Sequence, residues 1–340
     1  MRVVHFQRKR AAYTYSIEAE FDAIRAELAD RGGIDVDVFN CRHSNVGVSR
    51  WMANAAQARR HQGDVNHITG DVHYLAWSLD PSRTVLTVHD CGHEGRQAGL
   101  RKRAVGWLAL ERPVGRAAVV TTPSTFTRDR VIALSGVDPS KVEVVPLCIS
   151  PAFAHVPKAF DADRPTVLHV GTLPNKNLER LVAALDGLPC RLHVIGELSR
   201  PQAAALAQSG VEWRNSTNLT QAQLLAAYAE ADVLAFVSTY EGFGMPILEA
   251  QTVGRPVVTS NVASMPETAG DGACLVDPFD VASIRAGVQR VIEDGDYRAH
   301  LIAAAGDNVE RFSPKKSADA FAEIYRRVAG EGVVPPRPTA

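Results

Sequence analysis

The feature that most restricts the fold is a strand, a glycine turn and a helix start laid end to end between Val233 and Gly254. Val233-Leu-Ala-Phe-Val237 is a short apolar run, the pattern of a strand covered on both faces of a parallel sheet. Gly242 and Gly244 allow a sharp turn and a close backbone approach to a ligand. Pro246 suits the first helical position, where its missing N–H costs nothing, and Ile247–Val253 reads as a helix stopped by Gly254. Such a junction gathers unpaired N–H groups and the positive end of a helix dipole, which makes an anion site. Glu241 and Glu249 bracket it. Carboxylates repel a phosphate, so each is expected to accept hydrogen bonds from neutral hydroxyls beside one. A ligand with hydroxyls on both sides of a diphosphate is a sugar nucleotide. A helix-dipole glutamate beside an exposed loop glutamate is the plain alternative, and the pairing across one glycine turn favours the ligand.

At 340 residues the chain is long for one core, and its 46% hydrophobic content is enough for two. No apolar run approaches the roughly 18 residues that mark a membrane-spanning helix. The apolar run within Met1–Arg10 is too short for a signal peptide. Cys41, Cys91, Cys148, Cys190 and Cys274 are scattered, without a C-x-x-C pair, so a reducing cytoplasmic compartment is expected and a disulfide framework is not. Residues 1–158 carry 21 Lys and Arg against 16 Asp and Glu, while the remainder carries 16 against 22. That asymmetry suits a first half that meets something anionic, and it is too sparse for nucleic acid.

Along the chain, Arg2–Phe6 reads as a first parallel strand and Ser16–Arg31 as its helix, with Ile17, Phe21, Ile24 and Leu28 at helical spacing. The loop between them holds Arg8, Lys9 and Arg10 and no glycine, which disfavours a dinucleotide fold needing G-x-G-x-x-G there. These three cations are candidates for an acceptor phosphate, with a solvated basic loop as the alternative. Val36–Asn40, Val65–Ile68, Val85–Val88, Ala117–Thr122 and Val142–Val145 follow as short strands at crossover intervals. Ligands in open α/β sheets bind beyond the carboxyl ends of strands, so His89 and Asp90 are candidates for chemistry. His67, His73, His89, Cys91 and His93 are close in sequence but lack metal-ligand spacing, so no metal is expected. Arg101-Lys-Arg103 opens a segment that suits either a membrane surface or an exposed helix start. Ser124 is expected to cap a helix rather than react.

Ser150–Arg164 reads as a linker. Thr166–Val170 then opens a second strand, glycine turn and helix start, Gly171-Thr-Leu-Pro-Asn-Lys176, with one cation at its tip suited to a diphosphate. Arg191–Ile195 and Pro256–Ser260 are further strands. Helices are expected near Leu219–Tyr228, Val281–Ile292 and Pro314–Val328, and Glu331–Ala340, with its prolines, is expected to be disordered.

Glu241 and Glu249, with Gly-Phe-Gly-Met-Pro between them, resemble the E-x7-E signature of the retaining family 4 glycosyltransferases, which have the GT-B fold. Gly254-Arg-Pro-Val-Val-Thr-Ser-Asn261, Met265-Pro-Glu267 and Val276-Asp-Pro278 follow in that family's order and spacing. The resemblance covers 165–312 closely and the first half more loosely. It implies an α/β protein of two Rossmann-like parallel-sheet domains facing across a cleft: an acceptor-binding domain over 1–155 plus 314–330, where the last helix returns, and a donor-binding domain over 164–312. It implies that Glu249 holds ribose hydroxyls and Glu241 the transferred sugar. Gly171, Thr172, Lys176 and the Gly242-Phe243-Gly244-Met245 turn would hold the diphosphate. His89 would lie near the reacting carbon, with Asp90 as its partner or an acceptor-side base. Two departures stand out: the first loop lacks the family's glycine-rich turn, and the Lys176 loop lacks its accompanying arginine, which Arg200, Arg214 or a residue across the cleft would have to replace.

The expectation is therefore a retaining hexosyltransferase that moves a sugar from a nucleotide-diphosphate donor to a glycan or lipid-linked acceptor in bacterial cell-envelope polysaccharide synthesis. It would need no metal or cofactor, and would be cytoplasmic with peripheral contact at the inner membrane face. The alternatives are a GT-B sugar-nucleotide epimerase, a non-catalytic two-domain sugar-binding protein and a catalytically degenerate partner subunit. The nucleotide, the sugar and the acceptor are not encoded legibly.

Overall fold

A computed structural model describes residues 1–9, 16–45, 47–91 and 106–330. The chain forms two compact units: Met1–Cys148 with the segment from Pro314 onward, and Ile149–Ser313.

The first unit is built on six parallel strands: β1 (Arg2–Gln7), β2 (Asp35–Asn40), β3 (Val65–Ile68), β4 (Thr84–Thr87), β5 (Val119–Thr122) and β6 (Val142–Val144). They lie in the order β2-β1-β3-β4-β5-β6. Helices α1 (Ser16–Ala29), α2 (Val48–Ala58), α3 (Arg112–Arg116) and α4 (Thr125–Ser135) connect them. Side chains alternate along these strands, so the sheet feeds two cores. Val4, Phe6, Ile68, Leu86 and Val120 pack with Leu75, Leu110 and Val114 on one face. Val3, Val65, Val85 and Val119 pack with Phe21, Phe321 and Tyr325 on the other. Ser124 caps α4 by accepting from the Thr127 N–H, as expected.

The second unit repeats the architecture with β7 (Thr166–Val170), β8 (Arg191–Ile195), β9 (Glu212–Ser216), β10 (Val233–Phe236), β11 (Val257–Ser260) and β12 (Ala273–Val276). Their order, β12-β11-β10-β7-β8-β9, is that of a doubly wound dinucleotide-type sheet, with its reversal between β7 and β10. Around it lie α5 (Leu178–Leu185), α6 (Arg200–Gln208), α7 (Gln221–Glu230), α8 (Met245–Val253), α9 (Met265–Ala269), α10 (Val281–Glu293) and α11 (Gly295–Val309). The stretch read as a linker packs onto this unit: Phe153 meets the Tyr228 ring, the Val156 N–H donates to the Val253 carbonyl, and Lys158 pairs with buried Asp232.

The last helix, α12 (Pro314–Val328), belongs to the first unit. Arg31 donates to Asp319 at 2.7 Å, and Tyr325 is fully buried between β1 and β3. Its hydroxyl sits in a chain of hydrogen bonds whose direction is fixed at one end, because Arg25 has only protons to give. Arg25 donates to His5 Nδ1 at 3.2 Å, so His5 carries its proton on Nε2 and donates to Tyr325 Oη at 2.9 Å. Tyr325 then donates to His67 Nδ1 at 2.6 Å, His67 Nε2 to Thr87 Oγ1 at 2.7 Å, and Thr87 to Thr121 Oγ1 at 2.7 Å. Both imidazoles are neutral: burial first, and the charge on neighbouring groups second, push His67 down to about 3 and His5 well below its usual range.

Candidate active site

In a doubly wound sheet the ligand sits beyond the carboxyl ends of the strands flanking the order reversal. In the second unit those strands are β7 and β10, and they carry the Gly171–Lys176 and Glu241–Met245 loops. The two motifs singled out in the sequence are therefore neighbours in space. Asn175 Nδ2 donates to the Tyr240 carbonyl at 2.9 Å and to Glu241 Oε1 at 3.2 Å, while the Thr239 N–H donates back to the Asn175 carbonyl. Lys176 Nζ donates to Glu241 Oε1 at 2.8 Å and lies 4.6 Å from the centre of the Phe236 ring. The stem of Lys176 runs across Gly171, where a Cβ would fall 2.9 Å from its Cε, and Gly171 has φ +92°. Only glycine allows both the turn and the overlying lysine.

The helix after the glycine turn begins at Met245 rather than Ile247, so Pro246 takes the second position and Glu249 opens the second turn. Proline fits there because the first-turn N–H groups have no intrahelical partner. Glu249 consequently leaves the helix terminus and turns inward, with 9% exposure. The Tyr228 hydroxyl, fully buried on α7, donates to its Oε2. Burial pushes the Glu249 carboxyl up to about 7, with the Tyr228 bond and the Lys176 charge opposing. Ser264 Oγ donates to the Glu241 and Phe243 carbonyls at 3.0 and 2.9 Å, and Thr268 Oγ1 to the Phe243 carbonyl at 2.6 Å. These bonds turn the loop's carbonyls toward α9. Beneath the loops, His169 Nδ1 donates to the Ala235 carbonyl at 3.1 Å, leaving Nε2 as a buried lone pair without a partner among the described residues.

Several of the residues singled out in the sequence also make contacts within the protein. Thr172 Oγ1 donates to the Glu197 carbonyl at 2.6 Å, which joins the β7 and β8 loops. Phe243 is buried edge-on to Phe312 at 5.6 Å, so its ring anchors the turn. Arg214, on the edge strand β9, pairs with Glu230 at 2.7 Å. Arg200 is exposed in the first turn of α6, behind its Ser199 cap. The sequence alone assigns Asn175, Tyr228, Ser264 and Thr268 no role in the site. Asn177, at φ +64°, holds the Val237 and Pro278 carbonyls, and asparagine next to a glycine turn was the available signal for a left-handed residue.

The first unit has its own reversal, between β1 and β3. Arg8 lies there, donating to Glu18 at 2.7 Å and Asp71 at 3.2 Å, which occupies its charge within the protein. Lys9 is exposed, and Arg10 lies outside the described residues. His89 follows β4, donates from Nε2 to the Thr69 carbonyl at 2.9 Å, and keeps a buried Nδ1 lone pair without a partner among the described residues. Asp90 beside it is exposed. His93, Arg101–Arg103 and Glu331–Ala340 lie outside the described residues. Among the described residues no group of three or more His, Cys, Asp or Glu is placed to hold a metal, and no helix is long and apolar enough to cross a membrane.

Residues 20–153 match the family described as Glycosyltransferase Family 4, and residues 152–307 match Glycosyl transferases group 1. The chain is a GT-B glycosyltransferase of family 4 type. It is thereby an enzyme of the hexosyltransferase class. Among curated relatives, it is 28% identical to O-antigen chain mannosyltransferase B of Escherichia coli, over 71% of this chain and 68% of that one. It is 27% identical to the MMP alpha-(1->4)-mannosyltransferase of Mycolicibacterium hassiacum, over 67% of this chain and 59% of the relative. Two solved structures share the fold. Sucrose-phosphate synthase from Thermosynechococcus elongatus has a TM-score of 0.78 at 17% identity, covering 98% of this chain and all of that one. HepE of Anabaena, with UDP and glucose bound, has a TM-score of 0.75 at 17% identity, covering 96% of this chain and 99% of that one.

Proposed function

We propose that this transferase is a retaining enzyme that takes a sugar from a nucleotide-diphosphate donor held by the second unit and passes it to a glycan or lipid-linked acceptor in cell-envelope polysaccharide assembly. The observation that carries the reading is that the β7/β10 reversal brings one inward-facing carboxyl, Glu249, within the electrostatic influence of one cation, Lys176, across a glycine turn. Glu249 accepts from the ribose hydroxyls. Lys176 and the first N–H groups of α8 hold the diphosphate and carry the charge that develops as it leaves, without a metal. Gly171 and Gly244 admit the phosphates close to the backbone. Glu241, freed from Lys176 when the diphosphate takes its place, holds the sugar's hydroxyls. In the first unit, His89 Nδ1 is an acceptor for a hydroxyl near the reacting carbon, and Asp90 is its companion on the acceptor side. Retention follows front-face attack assisted by the departing phosphate. The mannosyl-transferring relative makes a mannosyl donor the first to try, and the UDP-bound neighbour makes a uridine diphosphate sugar the second.

The test is a thermal-shift screen of UDP, GDP, ADP, CMP and dTDP on the full chain and on Glu249→Ala, followed by transfer from the matching labelled donor. Stabilisation by one nucleotide, lost in the variant, supports the reading. A specific observation favours a second reading, a degenerate partner subunit: the loop's one cation is already matched by Glu241, with no arginine beside it. No shift with any nucleotide would decide for that reading.

A further inference from the structure

We infer that Gln7 is a specificity-determining residue on the acceptor side, which together with His89 reads neighbouring hydroxyls of an uncharged sugar ring. The inference rests on the transferase reading above and narrows its acceptor to a group that presents a neutral polyol and not a phosphate. Gln7 is the last residue of β1, at the order reversal of the first unit, where a doubly wound sheet takes its ligand. Its side chain is buried, at 2% exposure, yet neither Nε2 nor Oε1 has a hydrogen-bond partner among the described residues. The strand cannot slide to find one. The Gln7 carbonyl accepts from the Cys41 N–H at 2.9 Å, and the Phe6 carbonyl before it accepts from the Thr69 N–H at 3.1 Å. A buried carboxamide unmatched at both ends costs stability in the free protein, and a ligand that satisfies it recovers that cost.

The surroundings of Gln7 say what would match it. Alternation along β1 puts it on the face of Val3 and His5, which packs against Phe21. On that face the Phe21 ring also lies 6.3 Å from the His89 ring. His89 is oriented by Thr69, one residue past the Phe6–Ile68 pair that joins β1 to β3, so its bound carbonyl lies beside Gln7. Gln7 and His89 thus stand at the ends of β1 and β4 with β3 between them, and both strand ends reach the surface within two residues, at exposed Lys9 and Asp90. Together they offer two amide protons, an amide oxygen and an imidazole lone pair. Neighbouring ring hydroxyls supply the complement, because each hydroxyl both donates and accepts. An anion does not: it could take the amide protons, but Gln7 Oε1 and His89 Nδ1 would face it with lone pairs. No charge on this face compensates. His5 and His67 are neutral, and Arg8 is matched by Glu18 and Asp71.

The experiment measures transfer from the labelled donor picked out by the nucleotide screen, on the full chain and on Gln7→Met. The acceptors are nitrophenyl mannosides, glucosides and galactosides, their monodeoxy forms, and the corresponding hexose phosphates. The unmodified chain is expected to use at least one neutral glycoside and to prefer it to the matching phosphate. Gln7→Met keeps the length of the side chain without its polar atoms. It should lose about 100-fold in acceptor kcat/KM, two hydrogen bonds at about tenfold each, with donor KM and the nucleotide-induced shift unchanged. One monodeoxy acceptor should show a similar loss in the unmodified chain and almost no further loss in the variant. The variant's thermal midpoint should rise by about 2–4 °C, because an unmatched buried amide is gone, whereas removal of a merely structural glutamine would lower it. Preference for a phosphate, transfer to no neutral glycoside, unchanged acceptor kcat/KM in Gln7→Met or a lowered midpoint would each overturn the inference. The midpoint is read without donor and the nucleotide shift without acceptor, so failure here is distinguishable from failure of the donor-site reading.

Discussion

Replacing Glu249 by glutamine tests the donor site through protons. In the free protein, burial holds this carboxyl at about 7, against an ordinary value of 4.5. Between those pH values the native state holds a proton that the unfolded chain does not. Native stability from this group is therefore fully present at low pH and is lost as pH rises through 7. At about 1.4 kcal/mol per pH unit, the loss amounts to about 3 kcal/mol. Donor binding acts in the opposite direction. Ribose hydroxyls donate to the charged carboxylate and draw its pKa back toward the ordinary value, so nucleotide affinity should rise about tenfold per pH unit up to 7. The whole effect reaches about 300-fold if the return is complete. Near pH 6, binding should release close to one proton. Calorimetry of the intact nucleotide-sugar donor, whose diphosphate is esterified at both ends and has no group titrating near pH 6, reads that proton directly in two buffers of different ionisation enthalpy. In Glu249→Gln, which keeps an acceptor for Tyr228 but cannot ionise, affinity should not depend on pH in this range and no proton should appear. A wild-type chain that binds nucleotide with no proton release and a flat pH profile would refute the assignment of ribose to Glu249.

Gly171→Ala should weaken nucleotide binding at least tenfold, because the new Cβ must displace the stem of Lys176, and should lower stability by about 1–2 kcal/mol through its positive φ. Thermal shift with nucleotide and urea unfolding separate the two effects. Tyr325→Phe should cost about 1–3 kcal/mol by leaving a buried donor on His5 and a buried acceptor on His67 unmatched, measured by urea unfolding. Because His67 stays neutral in the native state down to about 3, stability should fall as pH drops below about 6.5, the ordinary histidine value. That acid loss should shrink in His67→Gln, measured by the same titration.

Much of the fold is legible because buried parallel strands announce themselves as apolar runs. Val233–Phe236, Thr166–Val170 and Val65–Ile68 all fall within the stretches expected. β9, with sequence Glu-Trp-Arg-Asn-Ser, was missed for the same reason in reverse. It is an edge strand, exposed along most of its length, and polar residues suffice there. α2 was missed because its apolar residues divide between two faces: Trp51 and Ala58 pack inward, while Val48 and Met52 point out. Glycine spacing made the donor loops readable. The groups that position them were not, since Tyr228 meets Glu249 and Ser264 meets Glu241 only once four helices and strands have been assembled. No local pattern encodes a contact of that kind.

The return of α12 also sets an order of events during synthesis. Everything needed for the second unit has been made once Ser313 has left the ribosome, whereas the first unit still lacks Phe321, Ile324 and Tyr325 from its core. Domains close as units in the order in which their parts become available. In this chain, the half that begins first is completed last. Until Tyr325 arrives, His5 and His67 have no shared partner, and a newly made chain has an open seam along β1 and β3 that only its final helix can close.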